Sequence, residues 1–195
     1  MRRLASSIVV CVLLGVGGCA TNKGPGEPPP VVRPVVVPER GPEELLKAIS
    51  VVKEGNLPQA EANFEEIVKV RPDLAEAHFN LGWVRVQLKK HADAIQPLRN
   101  GLQLRPGEVR AHALIGLCQR ELGQFAAAEA TYLEGLAIAP DDPALHYNVG
   151  ILYDLYLFQP PKALEHFRRY QALQKAPDTR VAGWIALIER QEAKK

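Results

Sequence analysis

Cysteine is scarce in this chain: three occur in 195 residues, and Cys11 and Cys19 both lie near the N-terminus. That leaves Cys118 alone in the body, where one thiol can close neither an intramolecular disulfide nor a CxxC metal site. Its setting, Leu114-Ile115-Gly116-Leu117-Cys118, is that of a small buried hydrophobe. A charge bias is missing too, with 24 basic residues against 22 acidic ones. Removing residues 1–18, which hold Arg2 and Arg3 and no acid, leaves 22 against 22. No basic stripe with interleaved aromatics appears, which argues against a nucleic-acid partner. The longest apolar run, Leu4 to Gly18, is interrupted by Ser6 and Ser7 and falls short of the ~20 residues that a membrane-spanning helix needs. A Gly-rich phosphate loop, a GxSxG elbow and an HExxH pair are all lacking. The carboxylates lie on predicted helix surfaces near Lys and Arg, as Glu65-Glu66 do near Lys69, and read as a solvated face. The expectation is no enzyme, no cofactor and no small-molecule substrate.

The N-terminus carries a different signal. Met1-Arg2-Arg3, a short apolar core and the exit Leu14-Gly15-Val16-Gly17-Gly18-Cys19 have the form of a secretory leader over residues 1–18. The small-small-Cys ending resembles the lipobox of bacterial lipoproteins, in which the cysteine becomes an acylated N-terminus. That resemblance implies lipid on Cys19 and an anchor in the membrane, more durable with more than one chain, since each buried methylene contributes about 0.8 kcal/mol. The alternatives are an ordinary leader with an incidental cysteine, or an uncleaved inner-membrane anchor. Ala20 follows where an Asp commonly retains Gram-negative lipoproteins in the inner membrane, so the resemblance implies an outer-membrane anchor facing the periplasm. Residues 19–40 turn to Pro, Gly and Val, with Pro25, Pro28-Pro29-Pro30, Pro34 and Pro38. Such a stretch forms neither helix nor central strand and reads as a disordered tether. In polyproline-II geometry, at about 3.1 Å per residue, it reaches up to ~60 Å.

From residue 41 onward a single period dominates. Pro72, Pro106 and Pro140 are 34 residues apart, and so are His78, His112 and His146, then Gly82, Gly116 and Gly150. Ala60, Ala94 and Ala128 keep the step, as do Phe64, Leu98 and Tyr132. This is the period of a helix–turn–helix solenoid, whose units bury their apolar faces only by stacking. The register divides residues 41–177 into units 41–74, 75–108, 109–142 and 143–177. Residues 178–195 follow as a capping helix, amphipathic over Val181-Ala182-Gly183-Trp184-Ile185-Ala186-Leu187-Ile188 and charged from Glu189 to Lys195. The glycines and alanines mark helix crossings with axes roughly 8–10 Å apart. Gly55 and Gly123 suit left-handed helix ends, and Pro58 suits a first turn. Pro97 falls inside the second helix of unit two and should bend or loosen it. In unit four, Ala163 and Phe167 arrive one residue late, which predicts a one-residue insertion. The three histidines, about 10 Å apart by helix spacing, cannot share one ion whose nitrogens must lie about 2 Å away. They are expected to pack between helices, and no metal site is expected.

These units, with Ala75-Glu76-Ala77-His78-Phe79-Asn80-Leu81-Gly82, Ala94, Leu98 and Pro106 as the clearest, resemble the tetratricopeptide repeat (TPR). The resemblance covers about residues 41–177 and implies an all-α, right-handed solenoid of about four repeats. It further implies that first helices line a concave face at fixed positions. Carried over, these are Leu45, Ile49 and Val52; Phe79, Trp83 and Val86; Arg110, Ala113, Leu117 and Arg120; and Tyr147, Ile151 and Asp154. A largely apolar lining of this kind marks a protein-partner surface. Occlusion by the tether or the C-terminal helix is the competing reading. The Lys/Asn pattern by which resembling proteins clamp a C-terminal carboxylate is missing. Leader, tether and short array together look like pilotin-type lipoproteins of secretins or Tad-type pili. Gly150-Ile151-Leu152-Tyr153-Asp154-Leu155-Tyr156 is also similar to repeat lipoproteins of TonB–ExbB-type energy transduction. The functional expectation is an envelope scaffold or adaptor for protein–protein interaction. The alternative is an accessory subunit of an envelope enzyme acting on peptidoglycan or polysaccharide.

Overall fold

A computed structural model describes residues 41–194. The expected leader, tether and Cys19 lie outside the described residues. Among the described residues the regular elements are all helical: α1 (Glu43–Lys53), α2 (Leu57–Val70), α3 (Ala75–Gln87), α4 (His91–Leu104), α5 (Val109–Glu121), α6 (Phe125–Ile138), α7 (Pro143–Ile151), α8 (Pro160–Ala172) and α9 (Thr179–Glu192). A π-helical turn, Leu152–Tyr156, extends α7. Consecutive helices pack as antiparallel pairs, and first helices also touch across units, α3 with α5 and α5 with α7.

The 34-residue register translates directly into packing. A Cβ added at Gly82, Gly116 or Gly150 would run into Leu98, Tyr132 or Phe167, the large residue of the same unit's second helix. All three large residues are fully buried. The glycine thus clears the space that the second helix fills, which is how each pair closes without a void. The second helices α2, α4 and α6 each end two residues before Pro72, Pro106 and Pro140.

The turns between paired helices need one residue at positive φ. Gly55 (φ 81°) and Gly123 (φ 73°) fill that role, but unit two uses Lys89 (φ 62°) and unit four uses Phe158 (φ 52°). Gly55, Lys89 and Gly123 are 34 apart, whereas Phe158 comes one residue later. The π-helical turn accounts for the difference, because i→i+5 bonding absorbs one extra residue without breaking the helix. The insertion expected from Ala163 and Phe167 is therefore housed in Leu152–Tyr156.

Pro97 sits inside α4, yet α4 runs as one helix from His91 to Leu104. A proline there leaves the carbonyl four residues earlier, on Asp93, without its helical donor. Arg85 Nη1 donates to that carbonyl at 3.0 Å. The arginine of the preceding helix thus replaces the bond that Pro97 removes, and the expected loosening is compensated.

At the C-terminal end, α9 packs on α8 as a cap. Trp184 lies 5.5 Å from the Phe167 ring and 6.2 Å from the Tyr147 ring, centroid to centroid. Asp178 caps α9, its Oδ1 accepting from the backbone N–H groups of Arg180 and Val181. That satisfies two of the four free donors at a helix start.

Candidate partner-binding face

The first helices α1, α3, α5 and α7 stand side by side and carry the residues expected to line a groove. Most of these residues turn out to be interior. Leu45 and Ile49 pack with Ala60, Phe64, Ala77, Leu81 and Val84. Phe79, Val86 and Leu117 pack with Ala94, Leu98, Leu114 and Cys118. Ala113, Tyr147 and Ile151 belong to the cluster that α9 closes. Phe79, carried over to the groove lining by the resemblance, is a core residue in the fold. Its ring presses on Gly101, where an added Cβ would collide with it, and its exposure is 0%. The physical reason is that the paired second helix and the helices of the next unit together consume the inward stripe, leaving little of it as surface. At the end of the array the C-terminal helix covers Tyr147, so for that position the competing reading of occlusion applies. Burial pushes the Tyr147 hydroxyl up to about 12.

Arg120 is interior as well, at 2% exposure. Its guanidinium lies 5.5 Å from the centroid of the Tyr156 ring, in cation–π geometry, and donates to Glu121 at 2.8 Å. What stays at the surface is narrower: Val52, Trp83, Arg110 and Asp154 are half-buried. Arg110 Nε donates to Glu108 at 2.9 Å. Burial raises the Asp154 carboxyl above its ordinary value. Trp83 packs against two separate core clusters, bridging units one and two. Among the described residues its buried indole N–H meets no acceptor.

Polar contacts between units follow the same register. Glu61 accepts from Arg85 Nε at 3.1 Å, and Glu129 accepts from the Tyr153 hydroxyl at 2.6 Å, both 24 residues apart. Arg85 also reaches Glu65 at 2.5 Å and Lys90 Nζ reaches Glu61 at 2.6 Å, so Glu65 serves Arg85 while Lys69 pairs with Glu66 at 3.5 Å. Burial works to raise the Glu61 carboxyl, but the hydrogen bonds from Lys90 and Arg85 outweigh it and hold Glu61 below its usual range. Arg169 of unit four pairs with Asp141 of unit three, whereas Arg105 pairs with Glu76 inside unit two, from the end of α4 to the start of α3.

The register histidines do more than fill space. His78 Nε2 donates to the Pro72 carbonyl at 2.9 Å, and His146 Nε2 donates to the Pro140 carbonyl at 2.8 Å. A carbonyl only accepts, so these rings carry their proton on Nε2. The constant six-residue gap from proline to histidine was the sequence signal for this bond. His146 has a second neighbour outside the register: its Nδ1 lies 3.0 Å from His166 Nδ1. Burial, and next the adjacent His146, pull the His166 imidazole down to about 4, so it is neutral at pH 7.

An all-helical stack of this kind, with paired helices in a fixed register and an inter-unit face, defines a helical-repeat scaffold. The chain belongs to the tetratricopeptide repeat proteins: two family models described as tetratricopeptide repeat match residues 45–108 and 85–147. Among curated proteins none matches. Solved structures share the fold at low identity. A crystal structure of MamA protein is 18% identical, covering 77% of this chain and 81% of that one with a TM-score of 0.70. Pseudomonas aeruginosa pilF is 21% identical, covering 77% and 68% with a TM-score of 0.66. A thermophilic TPR protein of Thermus thermophilus is 20% identical, covering 74% and 79% with a TM-score of 0.62.

Proposed function

We propose that this TPR array is the protein-binding part of a lipid-anchored envelope scaffold, held by acylated Cys19 to the outer membrane and facing the periplasm. TPR arrays bind other proteins, and the array here is rigidified by register contacts from unit to unit, which suits holding a partner in one orientation. The observation that carries the reading is Trp83, a large aromatic left half-buried on the first-helix face between two core clusters. A partner laid across units two and three would cover the exposed part of the Trp83 ring, and Arg110 lies on the next first helix to add charge selectivity. Arrangement of leader, Pro-rich stretch and short array favours assembly of an envelope complex, of the pilus or secretin type or of TonB-type energy transduction. The reading assigns no catalytic step to the chain.

The test is co-purification of the full-length protein from cross-linked cells. Trp83→Leu keeps apolar bulk against the core and removes the exposed part of the ring, while Arg110→Glu reverses a surface charge. Each should deplete one specific partner while the helical circular dichroism is unchanged. Undiminished capture by both variants would place binding elsewhere. Labelled palmitate with globomycin checks the anchor: a protein that takes up no label refutes lipidation at Cys19.

A further inference from the structure

Unit four carries a feature that no other unit has. The register places Asn63, Pro97 and Thr131 in units one to three where unit four, after its insertion, has His166. That imidazole meets the register histidine His146 with the two Nδ1 atoms 3.0 Å apart and the rings tilted by 39°. His146 is locked from behind, because its Nε2–H is committed to the Pro140 carbonyl at 2.8 Å. In the neutral ring the Nδ1 lone pair therefore faces His166. A backbone carbonyl on the far nitrogen is the arrangement that orients a metal-binding imidazole and raises its basicity.

We propose that His146 and His166 form a binding site for a divalent late transition-metal ion, with Cu2+ preferred over Zn2+. Without metal, the proton on His166 Nδ1 is shared with His146; with metal, that proton leaves to solvent and both Nδ1 lone pairs turn to the ion. For metal–nitrogen bonds of about 2.0–2.1 Å, nitrogens 3.0 Å apart subtend roughly 90–100° at the ion. That angle suits adjacent corners of a tetragonal Cu2+ site better than a tetrahedral Zn2+ site, and the general affinity order also favours Cu2+. His146 and Glu165 line an open groove of about 570 Å³ with Pro161, Leu164, Arg168 and Arg169. His166 does not line it, so the pair opens onto the groove on the His146 side alone, the side from which water or an anion would complete the shell. Nearby charges oppose one another: Glu165 favours and Lys162 disfavours a cation at His166, and the groove's Arg168 and Arg169, which also disfavour one, are paired with Glu189 and Asp141. Metal here would clamp α7 to α8 at the last full repeat.

The experiment titrates untagged full-length protein with CuCl2 and with ZnCl2 at pH 7.5, by calorimetry and, for Cu2+, by electron paramagnetic resonance. One ion per chain should bind, Cu2+ more tightly, with a tetragonal spectrum and superhyperfine splitting from two nitrogens. His166→Gln should weaken binding at least about tenfold, while His78→Gln, which has the proline bond and no second imidazole, should leave it unchanged. Binding that survives His166→Gln, or is lost in His78→Gln, overturns the site. Should the Gln variant lose helicity, the wild-type spectrum decides alone: absence of the two-nitrogen signature overturns the proposal.

Discussion

Replacing Phe79 with Ala separates the interior role that the packing shows from the surface role that its place on the first helix suggests. The Phe79 ring is fully buried, belongs to the cluster around Ala94 and Leu98, and rests on Gly101. Deleting a buried phenyl costs about 3–5 kcal/mol, since the transfer energy is lost and the cavity relaxes only in part. For a domain of this size each kcal/mol moves Tm by about 2–4 °C, so a fall of about 6–20 °C is expected. Gly101 supplies an internal control. In the wild type Gly101→Ala drives a methyl into the ring, at a cost of about 1–3 kcal/mol set against a helix-propensity gain near 1. In a Phe79→Leu background the collision is relieved, and Gly101→Ala should become neutral or stabilising. Urea unfolding followed by circular dichroism at 222 nm reads all four members of the cycle. If Phe79→Ala stays within about 0.5 kcal/mol of wild type, or if the two positions prove additive, Phe79 is not the interior residue described here.

Other outcomes follow from the same contacts. Lys89→Gly should raise stability by about 1 kcal/mol, because Lys89 holds a left-handed conformation that a side chain disfavours; the same urea assay checks it. Arg85→Met should destabilise in any background by unpairing Glu61 and Glu65, and by about 1 kcal/mol more in the wild type than with Pro97→Ala, where the Asp93 carbonyl regains its helical donor. Cys118, whose thiol burial pushes up to about 12 and whose exposure is 0%, should resist iodoacetamide at pH 8 and react promptly in urea. Acid should weaken the fold in two steps. His166 is depressed in the folded state, so its contribution is complete above the unfolded histidine value near 6.5 and fades as pH falls toward about 4. Glu61 is lowered, so its contribution is lost below the ordinary carboxylate value near 4.3. His166→Gln should flatten the first step and Glu61→Gln the second.

The stack was legible in the sequence wherever one period repeated one contact. Gly82 against Leu98 recurs as Gly116 against Tyr132 and Gly150 against Phe167, so the spacing encoded the crossing. The insertion was legible for the same reason, as a one-residue lag before Ala163. The face toward a partner was harder to read, because inward on a first helix does not mean toward solvent. How much of that stripe is consumed depends on how closely the paired second helix and the next unit's helices approach. One signal bore on it: Gly101 and Gly135 also lie 34 apart, and a small residue there tells of a side chain pressing in from another helix. Phe79 does so at Gly101, and Leu145 does so at Gly135. Bonds from Arg85 to the Asp93 carbonyl and from His146 to His166 join residues with no shared period, and only the folded chain brings them together.

Site-specific photo-cross-linking in living cells tests the central claim most directly. A benzophenone amino acid replaces Trp83, on the proposed partner face, or Ile138, which is half-exposed at the end of second helix α6. The account predicts one discrete, light-dependent adduct from position 83 and none of that mass from position 138. An adduct from position 138 with none from position 83 would contradict it.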